Sequence, residues 1–270
     1  MKRLKKSLII VGTCYLGTLL MLAFFERSMI YPAPQADKNL QLPRIPLFEE
    51  VTFTSADGTR LHGLFAEHPN AKGAILLCHG NGEDVSYMSE ELHDLQARFQ
   101  RNVLAFDYRG YGKSDGKPFE AGVLEDGEAA LRWLVEQTGE QPDKIILWGR
   151  SLGGAVAVHL AAQNGAHCLV LDRTFKSMVD VAQWHLPWLP VSLLLRNRYP
   201  SYQRIESYSG PLFQVHGHAD QVVPFRSAAD LHAASPSQRK EFIALDSLGH
   251  NTPWPDEVFQ SLDEFLLSSE

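Results

Sequence analysis

Ser151 lies in Gly149-Arg150-Ser151-Leu152-Gly153-Gly154, Asp220 in His216-Gly217-His218-Ala219-Asp220, and His250 in Leu248-Gly249-His250. A serine hydroxyl is a weak nucleophile near neutral pH and needs a base. An imidazole base in turn needs a carboxylate to set its tautomer and steady its positive charge. Serine, imidazole and carboxylate together suit acyl transfer. The G-x-S-x-G spacing is a weak signal alone, and its context strengthens it. The apolar run Ile145 to Trp148 leads straight in, and the small-residue run Gly153 to Ala162 leads straight out. A strand–turn–helix corner holds such a serine strained, with its hydroxyl exposed. The competing reading is a plain tight turn with a capping serine.

The partners come from position. With a serine on such a corner the chain order is Ser, acid, His. Asp220 follows the apolar run Pro211 to Gly217, and His250 follows the last apolar run and precedes the final helical stretch. Asp172, at the end of an earlier strand-like run, is the second candidate for the acid. Of the other histidines, His62, His68, His93, His167 and His232 read as surface or packing residues, and so does His159. His79, His216 and His218 belong to loops that shape turns. The negative charge that builds on a substrate carbonyl calls for two backbone N–H groups. Leu152, at the start of a helix, is one, and Asn81, in Cys78-His79-Gly80-Asn81-Gly82, is the other. Neither glycine-rich loop carries the lysine of a phosphate cradle. The run Asp107 to Gly116 reads as a tight loop near the site, with Asp107, Arg109 and Ser114 in one supporting network.

These residues must be carried by a sheet. Two alternating runs flank Asp57-Gly58, a hairpin signal. Continuous apolar strands then alternate with helical stretches: Ala74, Val103, Ile145, Leu169, Leu212 and Phe242 lie in the strands. Helices are expected near Ser86–Phe99 and over Ala121–Gln137, Leu152–Gln163, Phe225–Ala233 and Asp256–Leu267. That rhythm predicts an α/β fold with a mostly parallel sheet covered on both faces, preceded by an antiparallel hairpin. Ligands then bind at the carboxyl ends of the strands, where all the motifs fall.

The N-terminus follows other rules. Lys2, Arg3, Lys5 and Lys6 carry four positive charges, and Leu8 to Phe25 is 18 residues without a charge. As a helix that run spans about 27 Å, close to a bilayer core of ~30 Å. Length and flanks favour an uncleaved anchor over a cleaved signal peptide, and the sequence around Cys14 fits a lipoprotein processing box poorly. The basic flank stays cytoplasmic, which puts the remainder on the outer, periplasmic, extracellular or luminal side. The expected organisation is 1–25 flank and anchor, 26–46 linker, and 47–270 one catalytic domain with an insert at 173–210.

The whole chain carries a formal charge of −7, and removing the +4 of the N-terminal flank leaves −11 on residues 26–270. An acidic domain argues against nucleic-acid binding. The three cysteines show no metal-ligand spacing, and Cys78 and Cys168 read as buried structural thiols. Neither a metal nor an organic cofactor is implied.

With these residues in place the chain resembles the alpha/beta-hydrolase superfamily from about Phe48 to the end. The runs that carry the resemblance are CHGN, FDYRGYGKSDG, GRSLGG, VLDRTF, HGHADQVVP and the final GH, in that order. It looks most like the membrane-anchored alpha/beta-hydrolase-domain proteins of bacteria and eukaryotes, protein depalmitoylases among them. The resemblance implies a serine hydrolase acting on an ester, thioester or amide. One departure is that the family's H-G-N-A-G-N reads here His79-Gly80-Asn81-Gly82-Glu83-Asp84. The two carboxylates are expected to discourage anionic substrates.

The insert is apolar, with Trp184, Leu186, Trp188, Leu189, Val191 and Leu193. From Arg173 to Ser209 its five basic and two acidic residues leave +3. It is expected to form a lid over an acyl pocket, with Trp184, His185 and Trp188 touching substrate and the aromatics meeting the membrane surface. The competing reading is that these side chains pack on the domain. The expected activity is cleavage of acyl esters or thioesters, lipids and acylated proteins included. The alternatives are a serine peptidase or aminopeptidase, and a non-catalytic membrane-anchored binding protein.

Overall fold

The structure, a computed structural model, describes residues 2–33 and 48–267. It opens with α1 (Lys2–Ile30), followed by the hairpin β1 (Glu49–Thr54) and β2 (Arg60–Ala66). Then come β3 (Ala74–Cys78), α2 (Ser89–Phe99), β4 (Asn102–Phe106), α3 (Glu120–Thr138), β5 (Ile145–Arg150), α4 (Leu152–Asn164) and β6 (Cys168–Asp172). The insert holds three short helices, α5 (Met178–His185), α6 (Val191–Leu194) and α7 (Ser201–Arg204). The chain closes with β7 (Leu212–Gly217), α8 (Phe225–Ala234), β8 (Lys240–Leu245) and α9 (Asp256–Leu267).

The strands form one sheet in the order β1-β2-β4-β3-β5-β6-β7-β8. β1 pairs antiparallel with β2, and β2 antiparallel with β4. From β4 to β8 every neighbour is parallel, so all those strands deliver their carboxyl ends to one rim. Strand side chains alternate between faces. Leu76, Leu104, Leu147 and Leu169 therefore enter one core with residues of α3, α4 and α8, while Ile75, Val103, Ile146 and Val170 enter a second core with residues of α2 and α9. This explains the unbroken apolar runs: a strand covered on both faces needs no polar alternation. Cys78 and Cys168 are buried free thiols within the sheet.

α1 is long and apolar enough to cross a membrane, with a mean hydropathy of 2.2 and none of its apolar stretch buried. It runs further than expected. Residues 26–30, assigned above to the linker, continue the helix, and Glu26 and Tyr31 are buried against the domain. The reason is polar: Glu26 Oε1 accepts the main-chain N–H groups of Arg196 and Asn197, each at 2.8 Å, and Asn197 Nδ2 at 2.9 Å. The remainder of the expected linker, residues 34–46, lies outside the described residues.

Candidate active site

β5 leads into Ser151 and α4 leads out of it. Ser151 has φ 51° and ψ −114°, a left-handed φ that a side chain rarely adopts. Neighbouring bonds hold the strain in place. Ser151 N–H donates to Asp172 C=O at 2.8 Å, and Thr174 Oγ1 donates to Ser151 C=O at 2.7 Å. Gly153 is required by close approach, since a Cβ there would lie 2.0 Å from Cys78 O and 2.6 Å from His79 O. α4 thus begins in contact with the end of β3. That contact sets the positive end of α4 against His79, where the loop that holds Asn81 begins.

His250 Nε2 lies 3.1 Å from Ser151 Oγ, and His250 Nδ1 lies 2.8 Å from Asp220 Oδ2. A carboxylate only accepts, so Nδ1 carries the proton and the Nε2 lone pair faces the serine hydroxyl. Asp220 Oδ1 accepts the N–H groups of Val222 and Val223, each at 2.8 Å. Burial pulls the Asp220 carboxyl upward, but the His250 bond, the two N–H groups and the imidazole charge outweigh it, and the group sits below the usual carboxylate range. His216, expected only to shape a turn, is fully buried 3.4 Å from Asp220 Oδ2, with its Nε2 on Val223 O at 3.0 Å. Burial lowers its pKa, so it stays neutral beside the carboxylate.

Asp172, the second candidate acid, is engaged elsewhere. Arg173 grips both its oxygens at 2.7 and 2.6 Å, and Trp254 Nε1 donates to it at 2.8 Å. Arg173 NH1 then reaches the carbonyls of Gly249 at 3.3 Å and Thr252 at 2.5 Å, on either side of His250. Asp172, Arg173 and Trp254 therefore brace the His250 loop. Sequence reasoning missed this brace, whose only signal was an Asp-Arg pair at a strand end.

Glu83 and Asp84 are both engaged within the loop after β3. Glu83 Oε2 accepts Gly80 N–H at 2.8 Å and pairs with Arg150 NH2 at 2.7 Å, while buried Asp84 accepts Ser86 N–H at 2.9 Å. Both carboxylates help to hold the loop after β3, and Glu83 is charge-paired with Arg150. Arg150 also pairs with Glu91 at 3.1 Å. Asp107, Arg109 and Ser114 divide into two networks instead of one. Asp107 holds His62 Nδ1 at 3.0 Å and Val85 N–H at 2.9 Å, and its carbonyl accepts Ser114 Oγ at 2.7 Å. Arg109 pairs with buried Asp126 at 2.8 Å and with Asp57 at 2.8 Å. His62 is accordingly a buried polar strut.

In the insert the structure separates the three expected contacts. His185 Nε2 donates to Val222 C=O at 3.0 Å, two residues beyond Asp220. Trp184 and Trp188 face outward, 48 % and 60 % exposed, and Leu193 is 84 % exposed. Leu189 and Val191 pack inward, as do Phe175, Tyr199, Ile205 and Tyr208 at the two ends of the insert. The Tyr15 hydroxyl of α1 donates to Trp188 C=O at 3.4 Å, so the insert lies alongside α1. Among the described residues no cluster of His, Cys, Asp and Glu has the arrangement of a metal site.

A mostly parallel sheet with a strained serine corner at its rim defines a class, and sequence comparison agrees: the chain belongs to the alpha/beta-hydrolase superfamily. The family model for the alpha/beta hydrolase fold matches residues 73–203. The uncharacterized protein Rv2307c of Mycobacterium tuberculosis is 37% identical over 254 residues, covering 90% of this chain and 87% of that one. The alpha/beta hydrolase domain-containing protein WAV2 of Arabidopsis thaliana is 28% identical, covering 90% and 86%. The Pyrococcus furiosus esterase Pf2001 shares the fold with a TM-score of 0.71 and 22% identity, over 87% of this chain and 96% of that one.

Proposed function

We propose that the protein is a membrane-anchored serine hydrolase that cleaves carboxylic esters or thioesters of acyl, lipid-like substrates. The observation that carries this reading is the row Ser151–His250–Asp220, at 3.1 and 2.8 Å, on a serine held at φ 51°. Ser151 Oγ attacks the acyl carbon while His250 Nε2 takes its proton. The carbonyl electron pair moves onto oxygen, and the Asn81 and Leu152 N–H groups receive that oxyanion. The intermediate collapses, the carbonyl re-forms, and the leaving group departs with the proton from His250. Water then attacks the acyl-enzyme by the same route, and the acid is released. Asp220 stays ionised and steadies the imidazolium. None of these steps calls on a cofactor.

Membrane attachment is supported by the apolar helix α1, its basic flank and the bonds that tie its last turn to the domain. Trp184, Trp188 and Leu193, exposed on the insert that Tyr15 of α1 touches at Trp188, suit an apolar medium, and this favours substrates that partition into one. The topology proposed is a cytoplasmic N-terminus with the catalytic domain on the outer side. The test uses the full chain in detergent micelles with a fluorophosphonate probe and a panel of acyl esters and thioesters. Labelling of wild type and its loss in Ser151→Ala are expected, with kcat falling by about 10⁶. Equal labelling of both chains overturns the reading.

A further inference from the structure

The last turn of α1 touches the loop that follows β3. The final carbonyls of a helix lack intrahelical partners and carry the negative end of its dipole. One of them, Ile30 C=O, accepts from Asn81 Nδ2 at 2.5 Å. The other end of the same carboxamide, Asn81 Oδ1, accepts from the Tyr111 hydroxyl at 2.5 Å. Both ends of the amide are thus fixed. The Pro32 ring lies over Gly82, at ordinary contact distance from where a side chain there would begin.

The turn is itself firmly seated. Buried Tyr31 shares its hydroxyl with Asn197 Oδ1 at 3.0 Å and Tyr199 at 2.8 Å. Asn197 Oδ1 also accepts Glu120 N–H at 2.7 Å, while its Nδ2 donates to Glu26. Glu26, Tyr31, Asn197 and Tyr199 are all buried. Burial also pushes the Tyr111 phenol well above its usual range, so it remains a donor. A flexible tether needs none of these bonds, since an exposed chain of any composition would serve.

We propose that the last turn of α1 is a positioning element of the active site: the Ile30 carbonyl, acting through the Asn81 carboxamide clamped by Tyr111, sets the orientation of the Asn81 main-chain N–H. This inference rests on the reading of that N–H as an oxyanion donor. Asn81 carries both roles because its main chain would face the substrate oxygen while its side chain faces the helix. Removal of α1, by processing or truncation, then takes away catalytic geometry as well as membrane attachment.

The test compares the full chain in detergent micelles with Asn81→Asp and Tyr111→Phe. Aspartate keeps the size of the side chain and still accepts from Tyr111, but it cannot donate to Ile30 and sets a negative charge against a carbonyl oxygen. For a p-nitrophenyl ester, kcat is expected to fall about 10²-fold in Asn81→Asp and about 10-fold in Tyr111→Phe, with KM within about twofold. Rates are normalised by active-site titration, so unfolded protein does not count. Fluorophosphonate labelling should slow in parallel, because the phosphoryl oxygen occupies the same hole. A purely structural role lowers the unfolding midpoint and leaves kcat per titrated site intact, and that result overturns the proposal. If Asn81→Asp does not fold, Tyr111→Phe decides by the same criterion. Wild type that resists labelling at Ser151 brings down the hydrolase reading and this inference together. Labelled wild type with fully active variants brings down the inference alone.

Discussion

At the carboxyl rim of the sheet, Ser151, His250 and Asp220 are held by short polar bonds. Asp220 meets two main-chain N–H groups, and the His250 loop hangs on Arg173, which Asp172 grips with both oxygens. On the insert beside α1, Trp184, Trp188 and Leu193 stand exposed, and the Tyr15 hydroxyl reaches the Trp188 carbonyl at a long 3.4 Å. The rim has one geometry, because any shift would strand buried polar groups. Trp184, Trp188 and Leu193 are exposed, so no buried polar group penalises a shift of their side chains. The molecule joins a rigid chemical edge to a soft apolar side, and α1 borders both.

The contrast is broken most severely by confusing its two acids. Asp220→Asn should lower kcat by about 10³–10⁴, since an amide in place of the carboxylate favours the wrong imidazole tautomer. Asp172→Asn should lower kcat by no more than about 10²-fold, because it loosens the brace on the His250 loop without touching the imidazole. Steady-state kinetics on one ester measures both, and equal losses would remove the distinction between acid and brace. The same two variants sharpen the comparison against pH. The folded Asp220 pKa is depressed below 3.8, so its stabilising contribution is present above that value and is lost as pH falls through the lower folded value. The gap in unfolding free energy between wild type and Asp220→Asn should therefore close as the solution is acidified below pH 3.8. A gap that widens there reverses the sign of the argument.

Gly153→Ala attacks the rigidity of the rim through packing alone. Its Cβ would stand 2.0 Å from a main-chain oxygen that sheet pairing holds in place. A loss of about 3 kcal/mol or more is expected, a fall of roughly 6–12 °C in unfolding midpoint. Differential scanning calorimetry reads it directly. An unchanged midpoint would mean that the contact between α4 and β3 is slack.

The same division governs what the sequence discloses. The strand alternation, the two-sided burial of β3 to β7 and the order of Ser151, Asp220 and His250 are legible because backbone geometry imposes residue types: small ones where α4 meets β3, apolar ones through the sheet. The brace from Asp172 and Arg173 to the His250 loop is not legible, since it joins residues 76 and 79 positions apart through carbonyls that any residue supplies. The ion pairs of Glu83 and Glu91 with Arg150 are hidden for the same reason. Asn81 illustrates both cases. Its place in a glycine-rich loop marks it, but its bond to Ile30 lies 51 positions away on a helix whose composition reads only as membrane-spanning.

The smallest expected effect belongs to the soft side. Trp184→Ala with Trp188→Ala removes two exposed rings and leaves the rim untouched, so kcat on a short water-soluble ester should stay within about twofold. For long-chain substrates the outcome depends on what the rings cover. Each methylene withdrawn from water contributes about 0.8 kcal/mol, close to fourfold in kcat/KM. If the rings shelter only two or three methylenes of a bound chain, the double variant should flatten the dependence of kcat/KM on acyl length by roughly 15–60-fold at the long end. It should also weaken binding to lipid vesicles. A graded series of acyl esters measures the first, and vesicle flotation of a chain lacking the apolar stretch Leu8–Phe25 measures the second. An unaltered length profile together with unaltered flotation would mean that these tryptophans meet neither substrate nor bilayer, and the apolar side would need another occupant.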